Sequence, residues 1–287
     1  MRPFAIKGLR VIAALALCAA SGSLIAANST AQNLNTVRVY LDRVNMDYQM
    51  FKGENANPRY AEYLERDMDA LDEARSALAG GAISEEYPPV DKNIKRFLSI
   101  LNENYEAISE GGYEIPALAD EMLDIKRSAQ ASLTELYKAE TKSAPDKRVT
   151  EYQALSFMMQ QMAALYLENA AAAYGVASRS HEEEKTIDQL AQEFSMRLAK
   201  LDTSAKDLPA NVRTQLVDVK RKWSFIEQSM LNYLQDQVSF LVYRYSSVIV
   251  DELLNAAQTM SGGDDEAAGD NIGPANIPMP PGIPAAE

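Results

Sequence analysis

The chain is 287 residues long, enough for one large or two ordinary domains, and it carries a formal net charge of −13. Nucleic acids and anionic lipid surfaces are bound through clusters of Lys and Arg, and this acidic sequence has no such cluster. Composition therefore excludes nucleic-acid binding, whereas the acidic balance by itself indicates no particular partner.

Residues 1–31 are predicted to be a secretory signal peptide, which places the mature protein in the periplasm. Three cations, at positions 2, 7 and 10, precede an apolar stretch at 11–20, and small residues follow up to a cleavage site at Ala31 or Ala27. The apolar stretch is short for a membrane span, and an uncleaved N-terminal anchor is the alternative. Cleavage takes the charge from −13 to −16 and removes Cys18, the one cysteine, which excludes disulfides and cysteine chemistry.

From residue 34 to Met260, apolar residues recur at spacings of three and four, which is the helical period. Glycine and proline lie mainly between the periodic stretches, where a bundle needs turns. The pattern predicts eight helices, at about 34–53, 58–79, 89–110, 115–142, 148–178, 182–201, 209–233 and 238–260. The expected fold class is all-α, with two tandem up-down-up-down four-helix bundles.

The seventh predicted helix has the cleanest pattern, a coiled-coil-like seam with alternating spacings of four and three. Its members are Val212, Leu216, Val219, Trp223, Ile226, Met230 and Tyr233. In the fifth helix, Met158, Met159 and Met162 are interpreted as core packing, with adaptable binding as the alternative. Trp223 is expected to be a core anchor whose indole N–H needs an acceptor.

The two halves of the chain look related. A shift of about 122 positions superposes the third helix on the seventh, pairing Val90 with Val212, Ile94 with Leu216, Phe97 with Val219, Leu101 with Trp223 and Ile108 with Met230. Any two heptad patterns match at some offset, but one offset here also aligns neighbouring helices and turns, which favours duplication. The predicted domains are 33–143, a degenerate repeat, and 147–260, with a disordered acidic Pro/Gly-rich tail at 261–287.

No catalytic machinery is recognised, so the protein is predicted not to be an enzyme and to hold no cofactor or metal. His181 is the only histidine, and the consecutive acids after it lack metal-ligand spacing, so a solvated helix start is the preferred interpretation. Glycine pairs lack the context of phosphate loops. Composition does not exclude paired-carboxylate hydrolysis, but no Asp/Glu pair is recognised on an apolar stripe where burial would raise a pKa.

Residues 150–169, TEYQALSFMMQQMAALYLEN, resemble the first helix of the sensor domain of type IV pili methyl-accepting chemotaxis transducers and of nitrate/nitrite sensor kinases. Segments 217–230 and 240–254 resemble the third and last helices of that domain, so the resemblance covers roughly 149–260. It implies a periplasmic four-helix module that recognises a small ligand and often works as a dimer. The ligand-contacting arginine of the family would fall at Ala154, and another family arginine is Gln161 here, so nitrate binding is not carried over.

Two functions remain open at this stage. The first is a sensor-like protein that binds a small molecule or anion and signals through a separate membrane partner, since no output domain is recognised in the sequence. The second is a structural adaptor that docks to an envelope or pilus-related complex. The candidate ligand-contacting residues are Arg197, Arg213, Arg244, Gln160 and Gln161. A sensor should hold a polar-lined cavity, whereas an adaptor should be solidly packed and expose an apolar patch.

Overall fold

The computed structural model describes residues 7–81, 83, 85–142, 144, 146–172, 185–235 and 238–262, with side chains from residue 30 onward except that of residue 205. Within these ranges the protein is all-α, as predicted, and contains no strand. The helices are α1 Lys7–Gly53, α2 Pro58–Ala79, α3 Tyr87–Gly111, α4 Pro116–Thr141, α5 Lys147–Ala171, α6 Ile187–Thr203, α7 Ala210–Leu231 and α8 Ser239–Met260. A short 3-10 helix, Ala205–Asp207, precedes α7.

The helix boundaries follow local chemistry. Proline occupies the first turn of α2, α3 and α4, where a missing N–H costs no hydrogen bond. Asn57 and Asp146 accept backbone N–H groups at the starts of α2 and α5, and Thr186 forms a capping box with Gln189 on α6. Gly112 ends α3 at a positive φ of 71°, a backbone conformation that glycine adopts without strain.

Three boundaries differ from the predicted ones by about five residues or more. α1 begins at Lys7 rather than at residue 34, because the Ala- and Leu-rich segment before residue 34 favours helix and contains no proline after Pro3. α5 ends at Ala171, short of the predicted 178, and α6 begins at Ile187. Residues 173–184, which include His181, and 263–287, which hold most of the predicted tail, lie outside the described residues. No helix in the described part of the chain combines the length and apolar character needed to cross a bilayer.

The helices pack around one continuous hydrophobic core. α1 lies against α2, α4 and α5, while α3 lies against α4. α5 also packs on α6 and α8, and α7 contacts both α6 and α8. The predicted seam of α7 is buried from Val212 to Met230, and its counterparts on α3, from Val90 to Ile108, are buried as well. The division into two separate bundles stays a prediction, since α1 and α5 join both sets of helices.

α1 and α5 run parallel to each other. The Nδ2 of Asn35 donates to the Oγ of Ser156 at 3.2 Å, and ten residues further along α1 the Nδ2 of Asn45 donates to Glu168 Oε1 at 2.7 Å. The two contacts occur in the same order on both helices and join residues 121 and 123 positions apart. That separation is close to 122, the offset of the predicted repeat. The predicted repeat therefore makes α1 and α5 equivalent, and these two helices pack against each other.

Candidate functional site

The most unusual feature of the core is a row of polar side chains on α1. We call it the polar seam; every member is at most 4 % exposed, and its members are Asn35, Arg38, Asp42, Arg43, Asn45 and Asp47. They lie in the interior because α1 is surrounded by other helices over this stretch. Buried charges cost free energy unless they are paired and hydrogen-bonded, so their partners decide what the seam can do.

Arg43 ties α1 to α5 and α8. Its Nη1 lies 2.7 Å from Asp251 Oδ1, its Nε donates to Gln160 Oε1 at 3.2 Å, and its Nη2 donates to the carbonyl of Ser247 at 3.3 Å. Burial alone would lower the pKa of Arg43, but the charge and hydrogen bond of Asp251, together with Tyr40 and Asp67, outweigh it and raise that pKa. Arg43 is therefore a fixed positive charge that joins three helices.

Lys126 of α4 forms a second buried cluster with two carboxylates. Its ammonium pairs with Asp42 Oδ1 at 3.2 Å and with Glu168 Oε1, which also accepts from Asn45. Desolvation raises the pKa of Asp42, and the positive charge of Lys126 only partly offsets that effect. We call Asp42, Lys126 and Glu168 the ionic triad; its formal charge is negative by one.

Asp47 and Asp67 form a buried carboxyl pair between α1 and α2. The hydroxyl of Tyr243 donates to Asp47 Oδ1 at 2.7 Å, while Arg66 holds Asp67 with Nε and Nη2 at 2.7 and 2.9 Å. Burial, and next the charge and hydrogen bond of Asp67, raise the pKa of Asp47 well above its ordinary value. A protonated Asp47 can donate to Asp67, which explains how two carboxyl groups share this interior position.

This pair corrects the sequence analysis, which recognised no carboxyl pair on an apolar stripe. The expectation was wrong because residues 34–51 of α1 are buried on nearly every side, except at Thr36 and Tyr40, so Asp47 lies in the core without being part of an apolar stripe. The signal was present in the sequence: apolar residues at Val37, Val39, Leu41, Val44 and Met46 do not leave one polar face free. Apolar residues on opposite sides of a helix bury both sides, and the polar residues between them, charged ones included, are then buried as well.

Arg38 forms no ion pair with another described residue, although the charge of Asp42 acts on it from nearby. Its guanidinium stacks between the rings of Phe157 and Tyr137, with centroids 3.7 and 4.4 Å away. Among the described residues its Nε and Nη1 have no hydrogen-bond partner, and burial lowers its pKa to about 10. The two rings offset part of the desolvation cost through cation–π attraction.

A small polar cavity, the amide cavity, opens between α1, α5 and α8. Its volume is about 210 Å³, and its lining consists of Gln32, Asn35, Thr36, Tyr40, Gln153, Asp251, Leu254, Asn255, Ala257 and Gln258. Five of the ten residues carry side-chain amides, and none is Lys or Arg. The Oδ1 of Asn35, a residue 1 % exposed, has no hydrogen-bond partner in the described part of the chain. The cavity therefore offers hydrogen-bond donors and acceptors without a cationic side chain.

A larger groove runs on the other side of α1, between α3, α4 and α5. We call it the acidic groove; its volume is about 870 Å³. Its lining is Asp42, Glu86, Pro89, Val90, Lys126, Arg127, Gln130, Ala131, Ser132, Thr134, Glu135, Leu136, Phe157, Gln161, Leu165 and Glu168. The ionic triad thus forms part of its lining, and the remaining walls combine apolar side chains, such as Phe157 and Leu165, with polar ones.

The sequence-predicted ligand residues are spread over several places. Gln160 is buried between Arg43 and the Met46 sulfur, and Gln161 lines the acidic groove. Arg197 forms a two-pronged ion pair with Glu151 at 2.8 and 2.9 Å, and Arg213 is exposed at the start of α7. Neither these two arginines nor Arg244, on α8, lines the amide cavity or the acidic groove.

The expectations for the methionines of α5 and for Trp223 were confirmed. The three methionines of α5 are core residues, at most 7 % exposed, and the Nε1 of Trp223 donates to Ser195 Oγ at 2.9 Å. In the described ranges no group of three His, Cys, Asp or Glu side chains is arranged to hold a metal ion.

Comparison with known proteins adds no assignment: no family model, curated protein or solved structure matches the chain.

Proposed function

We propose that this is an exported periplasmic protein without catalytic activity, which binds a small polar molecule and signals through a separate membrane partner. The amide cavity is the observation that carries the proposal. A polar interior cavity with an unpaired buried acceptor is costly in a folded protein unless water or a ligand satisfies it. Its 210 Å³ corresponds to about seven water volumes, the size of a small metabolite.

The position of the cavity supports the proposal. Symmetric sensors that work as dimers bring the same helix of two copies together at their interface. Here α1 and α5, equivalent under the predicted repeat, meet in parallel within one chain, and the cavity lies beside their contact. On this proposal one chain supplies both halves of the sensor, and no second copy is required to complete the cavity.

The lining defines the class of ligand. Oxyanions such as nitrate are bound by guanidinium or other cationic donors, and the cavity has none. Its one carboxylate, Asp251, is already paired with Arg43. Amide and hydroxyl groups suit a neutral or zwitterionic molecule that both donates and accepts hydrogen bonds. The resemblance to the sensor domains thus supports the mode of action, but the cavity favours a different ligand.

A thermal-shift screen of small neutral and zwitterionic metabolites, with nitrate included, tests the proposal. A ligand at 100 times its Kd adds about 2.7 kcal/mol, which raises the Tm of a domain of this size by roughly 5–10 °C. Asn255→Trp, which fills the amide cavity, should abolish the shift, whereas Asn102→Trp on the exposed face of α3 should leave it unchanged. Shifts that survive Asn255→Trp, or shifts caused by nitrate alone, would contradict the proposed site.

The adaptor function has one observation in its favour. Val217 and Phe225 on α7 are 61 % and 48 % exposed, and Met196 on α6 is 67 % exposed. Contiguous exposed apolar patches mark protein interaction sites, so the adaptor function requires these side chains to form one patch. If Phe225→Ser and Val217→Ser abolish co-purification with an envelope complex while no small molecule shifts the Tm, the adaptor function replaces the sensor function.

A further inference from the structure

The acidic groove has three properties that the sensor proposal does not use. It is large, at about 870 Å³, within the usual range for sites that hold drug-sized ligands. Its walls include the apolar side chains of Val90, Leu136, Phe157 and Leu165. The residues that line it carry four carboxylates and two cations, which gives the lining a formal charge of −2.

The lining of the groove also holds acceptor atoms without donors. Asp42 is 3 % exposed, and only its Oδ1 contacts Lys126; its Oδ2 has no hydrogen-bond partner among the described residues. The Oε1 of Gln130 also has no hydrogen-bond partner among the described residues, while its Nε2 donates to the carbonyl of Arg38 at 2.7 Å. Burial raises the pKa of Asp42, and the Gln130 side chain lies close enough to that carboxyl to offset the effect in part. Two buried oxygens next to one cavity can both be satisfied by a donor that enters it.

The ionic triad explains why that donor should carry a positive charge. Lys126 is shared by Asp42 and Glu168, so one ammonium compensates two carboxylates. Burial makes an uncompensated carboxylate costly, and the pKa of Asp42 is accordingly raised despite the contact with Lys126. A second ammonium would complete the charge balance of the triad. An anionic ligand would increase the imbalance, and a purely apolar one would leave the oxygens unpaired.

We propose that the acidic groove binds an organic cation, namely a primary ammonium attached to an apolar body. The ammonium lies over Asp42 and Gln130, and the body packs on Phe157, Leu136 and Leu165. Glu86 and Glu135, both exposed at the rim, attract the cation on approach. The site is separate from the amide cavity, which lies between α1, α5 and α8, so each site can exist without the other.

Three probes share a phenylalkyl group and differ in the charge of the terminal group: 4-phenylbutylammonium, 4-phenylbutan-1-ol and 4-phenylbutyrate. Their affinities distinguish the effect of charge from the effect of shape. Each is titrated by calorimetry into the full chain at low and at physiological salt. The ammonium should bind at least about tenfold more tightly than the carboxylate, with the alcohol between them. Its advantage should shrink as salt rises, because the rim charges are exposed. Equal affinity for all three probes, or no heat from the ammonium, would overturn the proposal.

Variants locate the site. Glu86→Gln with Glu135→Gln should weaken ammonium binding about three- to tenfold and leave the alcohol unchanged. Glu106→Gln with Glu121→Gln is the matched control: it removes two charges, from α3 and α4, outside the groove lining, with Glu121 about 21 Å from Glu135 at 1.5 Å per residue, and should change nothing. Ala131→Trp should block all three probes by filling the groove, whereas Asn255→Trp in the amide cavity should not.

Asp42→Asn tests the inner contact directly. It keeps the shape of the side chain and should lower ammonium affinity at least about tenfold while sparing the alcohol. If this variant does not fold, the rim variants and Ala131→Trp still decide the matter. Ammonium binding that is unaffected by both the rim variants and Ala131→Trp would place the cation elsewhere and refute the assignment.

Discussion

The ionic triad gives the sharpest test of the energetic interpretation of the core. In Lys126→Met, a side chain of similar length replaces the ammonium that Asp42 and Glu168 share, leaving two buried carboxylates without their cation. All three residues are at most 6 % exposed, so solvent cannot replace the lost contact. Removal of one partner from a buried ion pair costs about 3–5 kcal/mol. For a domain of this size, that loss corresponds to a decrease in Tm of roughly 6–20 °C.

Lys138→Met is the control on the same helix. Lys138 pairs with Glu135 at 2.8 Å, but both side chains are well exposed, at 65 % and 73 %. Exposed pairs contribute about 0.2–1 kcal/mol, so this variant should unfold almost like the parent protein. Urea denaturation followed by circular dichroism at pH 7.5 measures both losses on one scale. Equal effects of the two substitutions would refute the claim that burial makes the triad important.

A compensating variant identifies the cause of the loss. Lys126→Met combined with Asp42→Asn and Glu168→Gln removes the buried charges together with their cation, so most of the lost stability should return. If the loss came from the packing of the lysine chain instead, the triple variant would remain as unstable as the single one.

Two further predictions concern the carboxyl pair and the seam of α7. The pKa of Asp47 is raised in the folded protein, so above pH 3.8 the folded protein still holds a proton that the unfolded chain has released. The free energy of unfolding therefore falls as the pH rises above 3.8. Asp47→Asn, which keeps an acceptor for Tyr243, should flatten this dependence between pH 4 and 8 in urea titrations and stabilise the protein at pH 8; an unchanged slope would contradict the assignment. Leu216→Ala should cost about 2–5 kcal/mol because Leu216 is 1 % exposed, whereas its neighbour Val217→Ala, at 61 % exposure, should cost less than about 0.5 kcal/mol; similar values would contradict the seam.

The helical pattern of the sequence predicted the elements well where one face of a helix is buried. In α7 the spacing of four and three identifies the residues from Val212 to Met230 that lie in the core. The starts of α2, α3 and α4 followed from their prolines, and the end of α3 from Gly112. These features depend on residues close together in the chain, so a sequence pattern suffices to predict them.

The candidate sites depend on contacts between distant residues and could not be predicted in the same way. Arg43 meets Gln160 and Asp251, and Lys126 meets Asp42 and Glu168, across 42 to more than 200 positions of the chain. Periodicity shows which face of a helix is apolar, but not which helix lies opposite. The parallel contact of α1 with α5 joins helices that are not neighbours in sequence, and both cavities lie beside that contact.

The proposed duplication gives the polar seam a physical rationale. In a symmetric dimer, a charge near the two-fold axis faces its own copy, and two buried charges of the same sign repel. Under the offset of 122, Arg38 corresponds to Gln160, Asp42 to Ala164, Arg43 to Leu165 and Asp47 to Asn169. Each charge of α1 thus has a neutral counterpart on α5, and Gln160 accepts a hydrogen bond from Arg43. Glu168, the buried charge of α5, corresponds in turn to the neutral Met46. Two halves in one chain are free to diverge in this way, whereas identical subunits are not, so buried charges that are not repeated at the equivalent positions favour a fused pair over a homodimer.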